Sequence, residues 1–92
     1  MNQCLKISLS IGLTNGFLDG FVLKNARKLH LEGVAQVVSD DHIKIIVCGL
    51  KENIEHFIDT LYKGLDKYKI DNIQLESFMR ARDYRGIFRV IA

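Results

Sequence analysis

The feature that most constrains the fold is a strict alternation of apolar with small or polar residues near the start of the chain. Its apolar positions are Leu5, Ile7, Leu9, Ile11 and Leu13. Because successive side chains of a strand point to opposite faces, a period of two predicts a β-strand with one buried face. The residues between them, from Cys4 to Gly12, are small or polar, so the other face of this strand is expected to stay uncovered.

Two later segments have helical periodicity instead. The first runs from about Asp19 to Leu31 and the second from Lys51 to Lys63. Apolar side chains three and four residues apart fall on one side of a helix, which predicts that both helices pack on a sheet. Gly64 follows the second helix, where a glycine commonly ends one. The apolar stripes are Leu18, Val22, Ala26 and Leu29 in the first helix, and Ile54, Phe57, Ile58 and Leu61 in the second.

Four more strands complete the pattern, in what we predict to be two hairpins. Val34 to Val38, opened by Gly33, is followed by the turn residues Ser39-Asp40-Asp41 and by His42 to Cys48. Ile43, Ile45 and Val47 of the latter strand should face inward. At the end of the chain, Asn72 to Met79 and Tyr84 to Ile91 are joined by Arg80-Ala81-Arg82-Asp83.

The order of these elements, β-α-β-β-α-β with one short extra strand, predicts a single α+β domain over residues 1–92. We expect a ferredoxin-like sandwich with two helices on one face of a mostly antiparallel sheet. The net charge of +2 is too small to indicate nucleic-acid binding by itself. No apolar run approaches the roughly 18 residues of a membrane span. The N-terminus lacks signal-peptide features, so we predict a cytoplasmic protein without cofactor or membrane partner.

Two short motifs flank the first predicted helix, and together they resemble those of acylphosphatases, which hydrolyse carboxyl-phosphate anhydrides. The family patterns are G-x-V-Q-G-V-x-F-R and A-x-x-L-x-L-x-G. The resemblance covers essentially the whole chain, with Asp40-Asp41, Gly49 and Phe88-Arg89-Val90 also in family positions. It implies the same sandwich and an anion-binding loop at Gly12–Gly20. The two motifs here are Gly12-Leu13-Thr14-Asn15-Gly16-Phe17-Leu18-Asp19-Gly20 and Ala26-Arg27-Lys28-Leu29-His30-Leu31-Glu32-Gly33.

Two residues that the resemblance would supply are absent. The family has an arginine at the end of the first motif and an asparagine on the second strand. Counting from the glycines puts Gly20 at the arginine position, whereas counting back from Leu29 puts Asp19 there, because the segment between is one residue shorter. Counting from Gly33 puts Val37 at the asparagine position. Residues 1–24 contain no arginine and residues 26–52 no asparagine, so no shift of one or two positions restores either residue.

The family's reaction depends on both residues. The arginine places paired charged donors on the phosphate, and the asparagine orients the attacking water. Losing one such donor costs about 3–4 kcal/mol of transition-state stabilisation. We therefore predict no catalytic residues at these positions, no acyl-phosphate hydrolysis, and a role in binding an unknown protein or small molecule. One alternative is an active acylphosphatase in which Arg80 or Arg82 reaches across from the last hairpin.

Asp19 has a structural and a functional interpretation. It stands just before Gly20-Phe21-Val22, where a helix N-cap belongs, and a carboxylate there accepts hydrogen bonds from first-turn N–H groups. The same carboxylate would occupy the anion site and repel a phosphate. Both interpretations predict that phosphate binds poorly.

Basic residues near the C-terminus raise weak RNA binding as a second alternative. RNA-recognition domains of similar topology display aromatic side chains on a central strand, and His42 to Cys48 has none. We therefore expect a solvated surface rather than a nucleic-acid site. His30, His42 and His56 are scattered without metal-ligand spacing, which predicts surface residues and no metal. The basic residues are Lys63, Lys67, Lys69, Arg80, Arg82, Arg85 and Arg89.

The two cysteines should be neighbours. In a ferredoxin-like sheet the first and third strands are antiparallel partners, so Cys4 at the start of one meets Cys48 at the end of the other. Both belong to the face away from the helices. We expect Cα atoms about 4.5–7 Å apart, free thiols in a reducing cytoplasm, and an intramolecular cross-link on oxidation.

Overall fold

The structure, a computed structural model, describes residues 2–11, 16–77 and 87–91. The first helix, α1, consists of a π-helical segment, Phe17–Val22, followed directly by the α-helical segment Leu23–Lys28. The other helices are α2, Lys51–Lys63, and the short α3, Leu65–Tyr68. The strands are β1 Asn2–Ile11, β2 Glu32–Ser39, β3 His42–Leu50, β4 Ile70–Ser77 and β5 Phe88–Ile91.

The five strands form one sheet in the order β4-β1-β3-β2-β5. Strand β5 runs parallel to β2, and the other neighbours are antiparallel. Ile7 pairs with Ile45, and Ile45 in turn pairs with Ala35, so the apolar positions of the central strands align in rows. The predicted α+β sandwich is confirmed.

One face of the sheet carries the core. The apolar alternation of β1 and β3 points toward the helices, and the stripes of α1 and α2 close over it. The inward positions predicted for β3 are confirmed, since Ile43, Ile45 and Val47 are buried. The fully buried side chains of this core include Ile7, Leu9, Ile11, Phe17, Val22, Ala26, Ile43, Ile45, Val47, Phe57, Leu61 and Phe88.

The opposite face is mostly polar, and no described helix packs on it. One row, read from β4 to β2, contains Asn72, Ser10, His42 and Ser39 as successive register partners. The Lys6 ammonium lies 3.9 Å from the Glu76 carboxylate on the same face. The period of two in β1 therefore separates the buried face of the sheet from the uncovered polar face, as the sequence predicted.

Cys4 and Cys48 are register partners at one end of β1 and β3. They are joined by a disulfide, with Cα atoms 4.1 Å apart. The predicted neighbourhood and strand order are confirmed, and the separation falls just below the expected range. The cross-link expected under oxidation is the state present in the structure.

The prediction of a final hairpin is wrong. Strands β4 and β5 lie at opposite edges of the sheet, and β5 adds to β2 in parallel, with Gly33 opposite Phe88. Strands β1, β3 and β2 lie between β4 and β5 in the sheet, so a tight turn cannot join β4 to β5. The connecting residues 80–83 lie outside the described residues, as do residues 84–86 of the predicted last strand.

The boundaries of α1 also differ from the prediction. The helix begins at Phe17, and Gly16 is its N-cap with a left-handed φ of 85°. It ends at Lys28, where the Leu31 N–H donates to the Ala26 carbonyl at 2.9 Å and the His30 N–H donates to the Arg27 carbonyl at 3.1 Å. This paired arrangement is a Schellman motif, and it requires a left-handed residue. His30 supplies it, with φ of 56°.

Two glycines allow close approaches between elements. Gly33 has φ of 141°, and a Cβ there would lie 1.8 Å from the Ile46 carbonyl oxygen, so β2 and β3 leave no room for a side chain. Gly64 does follow α2, but its φ of −89° is not left-handed. A Cβ at Gly64 would lie 3.0 Å from the Phe21 ring, so this glycine is suited to packing rather than to a left-handed helix end.

Within the described part of the chain, no helix combines the length and the apolar character that a membrane crossing requires.

Candidate functional site

The start of α1 holds the described half of the predicted anion loop. The Gly16 carbonyl accepts hydrogen bonds from both Gly20 N–H and Phe21 N–H, each at 2.9 Å, which produces the π-helical first turns. Phe17 is buried and anchors this turn in the core, and Leu18 is half-buried. The other members of the loop, Gly12, Leu13, Thr14 and Asn15, lie outside the described residues.

Asp19 is not the N-cap that the sequence suggested. Gly16 has that position, so Asp19 lies in the first turn and its side chain is exposed. A carboxylate in the first turn still interacts favourably with the helix dipole. It also puts negative charge beside the helix N-terminus, where an anion would otherwise bind.

Gly20 is the other position at which the family resemblance would put an arginine. It is exposed, and a Cβ built there would meet no atom within 4 Å. The first arginine of the chain, Arg27, is seven residues beyond Gly20, which is about two helical turns. Arg27 is therefore remote from the N-terminal turn.

Val37 lies on β2 opposite Ile43, which in turn pairs with Leu9. It belongs to the helix-facing row of the sheet and is half-buried. An isopropyl group neither donates nor accepts a hydrogen bond, so this position cannot orient a water molecule. The nearest preceding asparagine, Asn25, donates from Nδ2 to the Phe21 carbonyl at 2.7 Å, within its own helix.

An aromatic cluster supports the outer side of the α1 N-terminus. The Phe17 and Phe21 rings stack with centroids 5.6 Å apart, and the Tyr68 ring lies 5.1 Å from the first and 4.8 Å from the second. Tyr68 belongs to α3, which the sequence analysis did not predict. This cluster fixes α1 against the chain that follows α2 and explains the tight fit at Gly64.

The described basic residues do not gather into one patch. Arg89 is on β5, whereas Lys69 directly precedes β4 at the opposite edge of the sheet. The Lys67 ammonium lies 5.3 Å from the centre of the Tyr68 ring. Lys63 is exposed at the end of α2. Arg80, Arg82 and Arg85 lie outside the described residues.

The histidines are exposed, as predicted, but one of them has a set of partners that sequence reasoning missed. His42 Nδ1 lies 2.8 Å from Asp41 Oδ1, and its Nε2 lies 3.4 Å from Ser10 Oγ. The hydrogen bond and the charge of His42 hold the pKa of the Asp41 carboxyl below its ordinary value of 3.8. The available signal was an Asp-His pair that opens β3 opposite the end of β1. No group of three potential metal ligands occurs among the described residues.

Comparisons with known proteins agree with the fold. The sequence model of the acylphosphatase family matches residues 16–90. The acylphosphatase of Aliivibrio fischeri is 36% identical over 52 residues, which are 56% of this chain and 58% of that protein. The matched stretch thus spans little more than half of that relative's length.

Solved structures extend the likeness over the whole chain. An acylphosphatase from Coxiella burnetii superposes with a TM-score of 0.82 at 25% identity, covering 97% of this chain and 92% of that one. T. kodakarensis HypF is 28% identical with a TM-score of 0.75, and all of this chain covers 12% of it. Domains of this shape therefore occur alone and within much longer proteins.

Proposed function

Because the chain belongs to the acylphosphatase family, we propose that it keeps the family's fold, lacks phosphate-directed hydrolysis, and serves as a binding or interaction domain. The observation that carries the proposal is Val37. It stands on β2 at the position where the family resemblance requires a water-orienting asparagine, and its side chain has no polar atom.

The charge at the helix N-terminus supports the same conclusion. Hydrolysis of an acyl phosphate depends on positive groups around a multiply charged phosphoryl group. The first turn of α1 contains the exposed carboxylate of Asp19 and no basic residue. The nearest arginine along the helix, Arg27, is eight residues, or about two helical turns, beyond Asp19. Binding of phosphate is thus opposed where the family promotes it.

An interaction role follows from what the domain retains. Its core is intact on the helix side, so loss of the two residues does not come with loss of the fold. The likeness to one segment of HypF supports a role for such domains inside larger proteins.

The alternative is an active acylphosphatase with substitute residues, which the names of its relatives favour. Hydrolysis of benzoyl phosphate separates the two, with the Coxiella burnetii enzyme as positive control. We expect hydrolysis by attack on phosphorus to proceed at a rate equal to that of buffer alone. A kcat/KM near that of ordinary enzymes, about 10⁴ M⁻¹s⁻¹ or more, would overturn the proposal.

A further inference from the structure

A serine, a histidine and an aspartate form a continuous chain of contacts on the uncovered face of the sheet. Ser10 Oγ lies 3.4 Å from His42 Nε2, and His42 Nδ1 lies 2.8 Å from Asp41 Oδ1. The three residues thus have the connectivity of a nucleophile, a base and an orienting carboxylate. Ser10 and His42 lie on the face of the sheet away from the helices, whereas Val37 belongs to the helix-facing row, so this cluster is on the other side of the sheet from Val37.

The backbone fixes the three groups from independent directions. Ser10 and His42 are register partners in β1 and β3. Asp41 lies in the turn that precedes β3, and its carbonyl accepts from the Ile11 N–H at 2.9 Å, which ties the turn to the end of β1. The Ser39 hydroxyl donates to Asp41 Oδ1 at 3.3 Å, so the carboxylate has two donors. Two strands and a turn therefore hold Ser10, His42 and Asp41 in place.

The proton positions follow from the partners. An ionised carboxylate accepts only, so the His42 proton belongs on Nδ1, which leaves Nε2 as an acceptor for the Ser10 hydroxyl. His42 also keeps the pKa of the Asp41 carboxyl below its ordinary value, so Asp41 is ionised at neutral pH. This is the tautomer that a general base for serine requires.

We propose that Ser10 is a nucleophile toward small activated esters, with His42 as its general base and Asp41 as the residue that positions His42. The cluster is solvent-exposed, with side-chain exposures of 54% for His42 and 73% for Asp41. An exposed cluster admits a small acyl donor but encloses none, so the leaving group must be intrinsically good, as in an aryl ester. Asn72, the register partner of Ser10 on β4, is the adjacent amide able to donate to the developing oxyanion.

The reaction balances without any cofactor. Ser10 Oγ bonds to the carbonyl carbon while its proton moves to His42 Nε2, and the bond from that carbon to the leaving oxygen then breaks as the leaving oxygen takes the proton. Water attacks the acyl-serine in the same way, giving its proton to His42. The bond from the carbon to Oγ breaks, Ser10 regains a proton, and the carboxylic acid departs.

The test is hydrolysis of p-nitrophenyl acetate, with the intact mass of the protein read in parallel. We expect a rate about 10²-fold above that of buffer, the low end for general-base assistance. Ser10→Ala and His42→Ala should each remove that excess, and Asp41→Asn should lower it about 10-fold or more. Two variants should leave it unchanged: Ser8→Ala, a serine on the same face one row away, and His56→Ala, an exposed histidine on α2.

A second readout identifies the nucleophile directly. A fluorophosphonate should add one phosphonyl group to Ser10 with loss of fluoride, and Asp41→Asn should slow this labelling. If the Ser10→Ala variant hydrolyses the ester as fast as the parent, or if the label is absent from Ser10 in the folded protein, the proposal is wrong.

An isotope experiment tests the serine site separately from the proposed loss of phosphate-directed hydrolysis. Benzoyl phosphate hydrolysed in ¹⁸O-labelled water by attack on phosphorus gives labelled phosphate, whereas attack by Ser10 on the acyl carbon gives labelled benzoate. Labelled benzoate that disappears in Ser10→Ala supports the serine site. Labelled phosphate formed faster than in buffer alone would instead overturn the proposed function and leave the aryl-ester result to decide the serine site.

Discussion

Cys4 and Cys48 face each other directly across β1 and β3, and their disulfide closes a segment with a sequence separation of 44 residues. That segment contains α1, β2 and nearly all of β3. Restricting this segment lowers the entropy of the unfolded chain, and a disulfide that closes a loop of this size typically stabilises a protein by about 2–4 kcal/mol.

The first prediction concerns this cross-link. Reduction should lower the free energy of unfolding by about 2–4 kcal/mol, measured by urea denaturation with and without dithiothreitol. The double variant Cys4→Ser/Cys48→Ser should unfold at one midpoint in both conditions. If the urea midpoint of the parent protein is the same with and without dithiothreitol, although mass spectrometry shows complete reduction, the disulfide does not stabilise the fold as expected.

The second prediction concerns the close approach of β2 and β3. Gly33→Ala should destabilise the protein by about 4 kcal/mol or more, because its Cβ would lie 1.8 Å from the Ile46 carbonyl oxygen at a φ of 141°. Gly20→Ala is the matched control, since that site is open and helical. It should raise the unfolding free energy by about 0.5–1 kcal/mol. Equal effects of the two variants would show that the strand register is different.

The third prediction concerns the end of α1. His30→Gly should stabilise the protein by about 0.5–1 kcal/mol, because a left-handed residue with a Cβ costs more than the extra freedom of glycine in the unfolded chain. His56→Gly makes the same exchange inside α2 and should destabilise by about 0.3 kcal/mol, the difference between the helix propensities of the two residues. Thermal or urea unfolding of the three proteins measures both signs. Destabilisation by His30→Gly would argue against the Schellman motif.

The fourth prediction concerns restoration of an anion site. Val37→Asn combined with either Asp19→Arg or Gly20→Arg should create phosphate binding detectable by amide chemical-shift changes at residues 16–20. Asp19 and Gly20 are both exposed, so an arginine fits at either position. Val37→Asn alone is the control and should not bind. If both double variants fold without binding phosphate, the first turn of α1 has lost the shape of an anion site, and missing side chains alone do not explain the inactivity.

The fifth prediction concerns pH. Because His42 lowers the pKa of Asp41 in the folded protein, the ionised carboxylate stabilises the fold at pH above 3.8. That stabilisation is lost as pH falls through the lowered value. The urea midpoints of the parent and Asp41→Asn should therefore differ at neutral pH and converge once the pH has fallen below the lowered pKa of Asp41. A difference that persists unchanged into acid would exclude the ionised Asp41 as its source.

Local patterns predicted most of this fold, and non-local pairing accounts for what they missed. The alternation of β1 and the helical stripe of α2 are each complete within one segment, so the sequence alone predicted both elements. The last two strands were misassigned as a hairpin because adjacency in sequence was taken for adjacency in the sheet. The parallel partner of Phe88 is Gly33, which no local pattern indicates.

The candidate sites show the same division. Val37, Asp19 and Gly20 could be identified by counting from motifs, because a family pattern preserves spacing. The Schellman motif at His30 was hidden because histidine, unlike glycine, does not signal a left-handed position. Ser10 and His42 are 32 residues apart, so their contact emerges only when the register of β1 against β3 is known.

The central strand pair is fastened unequally at its two ends. Beside Cys4 and Cys48 a covalent bond holds β1 to β3, whereas beside Ser10 and His42 the side-chain link is one exposed 3.4 Å hydrogen bond. We expect local openings of this strand pair to begin at the Ser10 end and to stop before Cys4, where the disulfide holds the two strands. Amide hydrogens of β1 would then exchange through small local openings at one end and through global unfolding at the other.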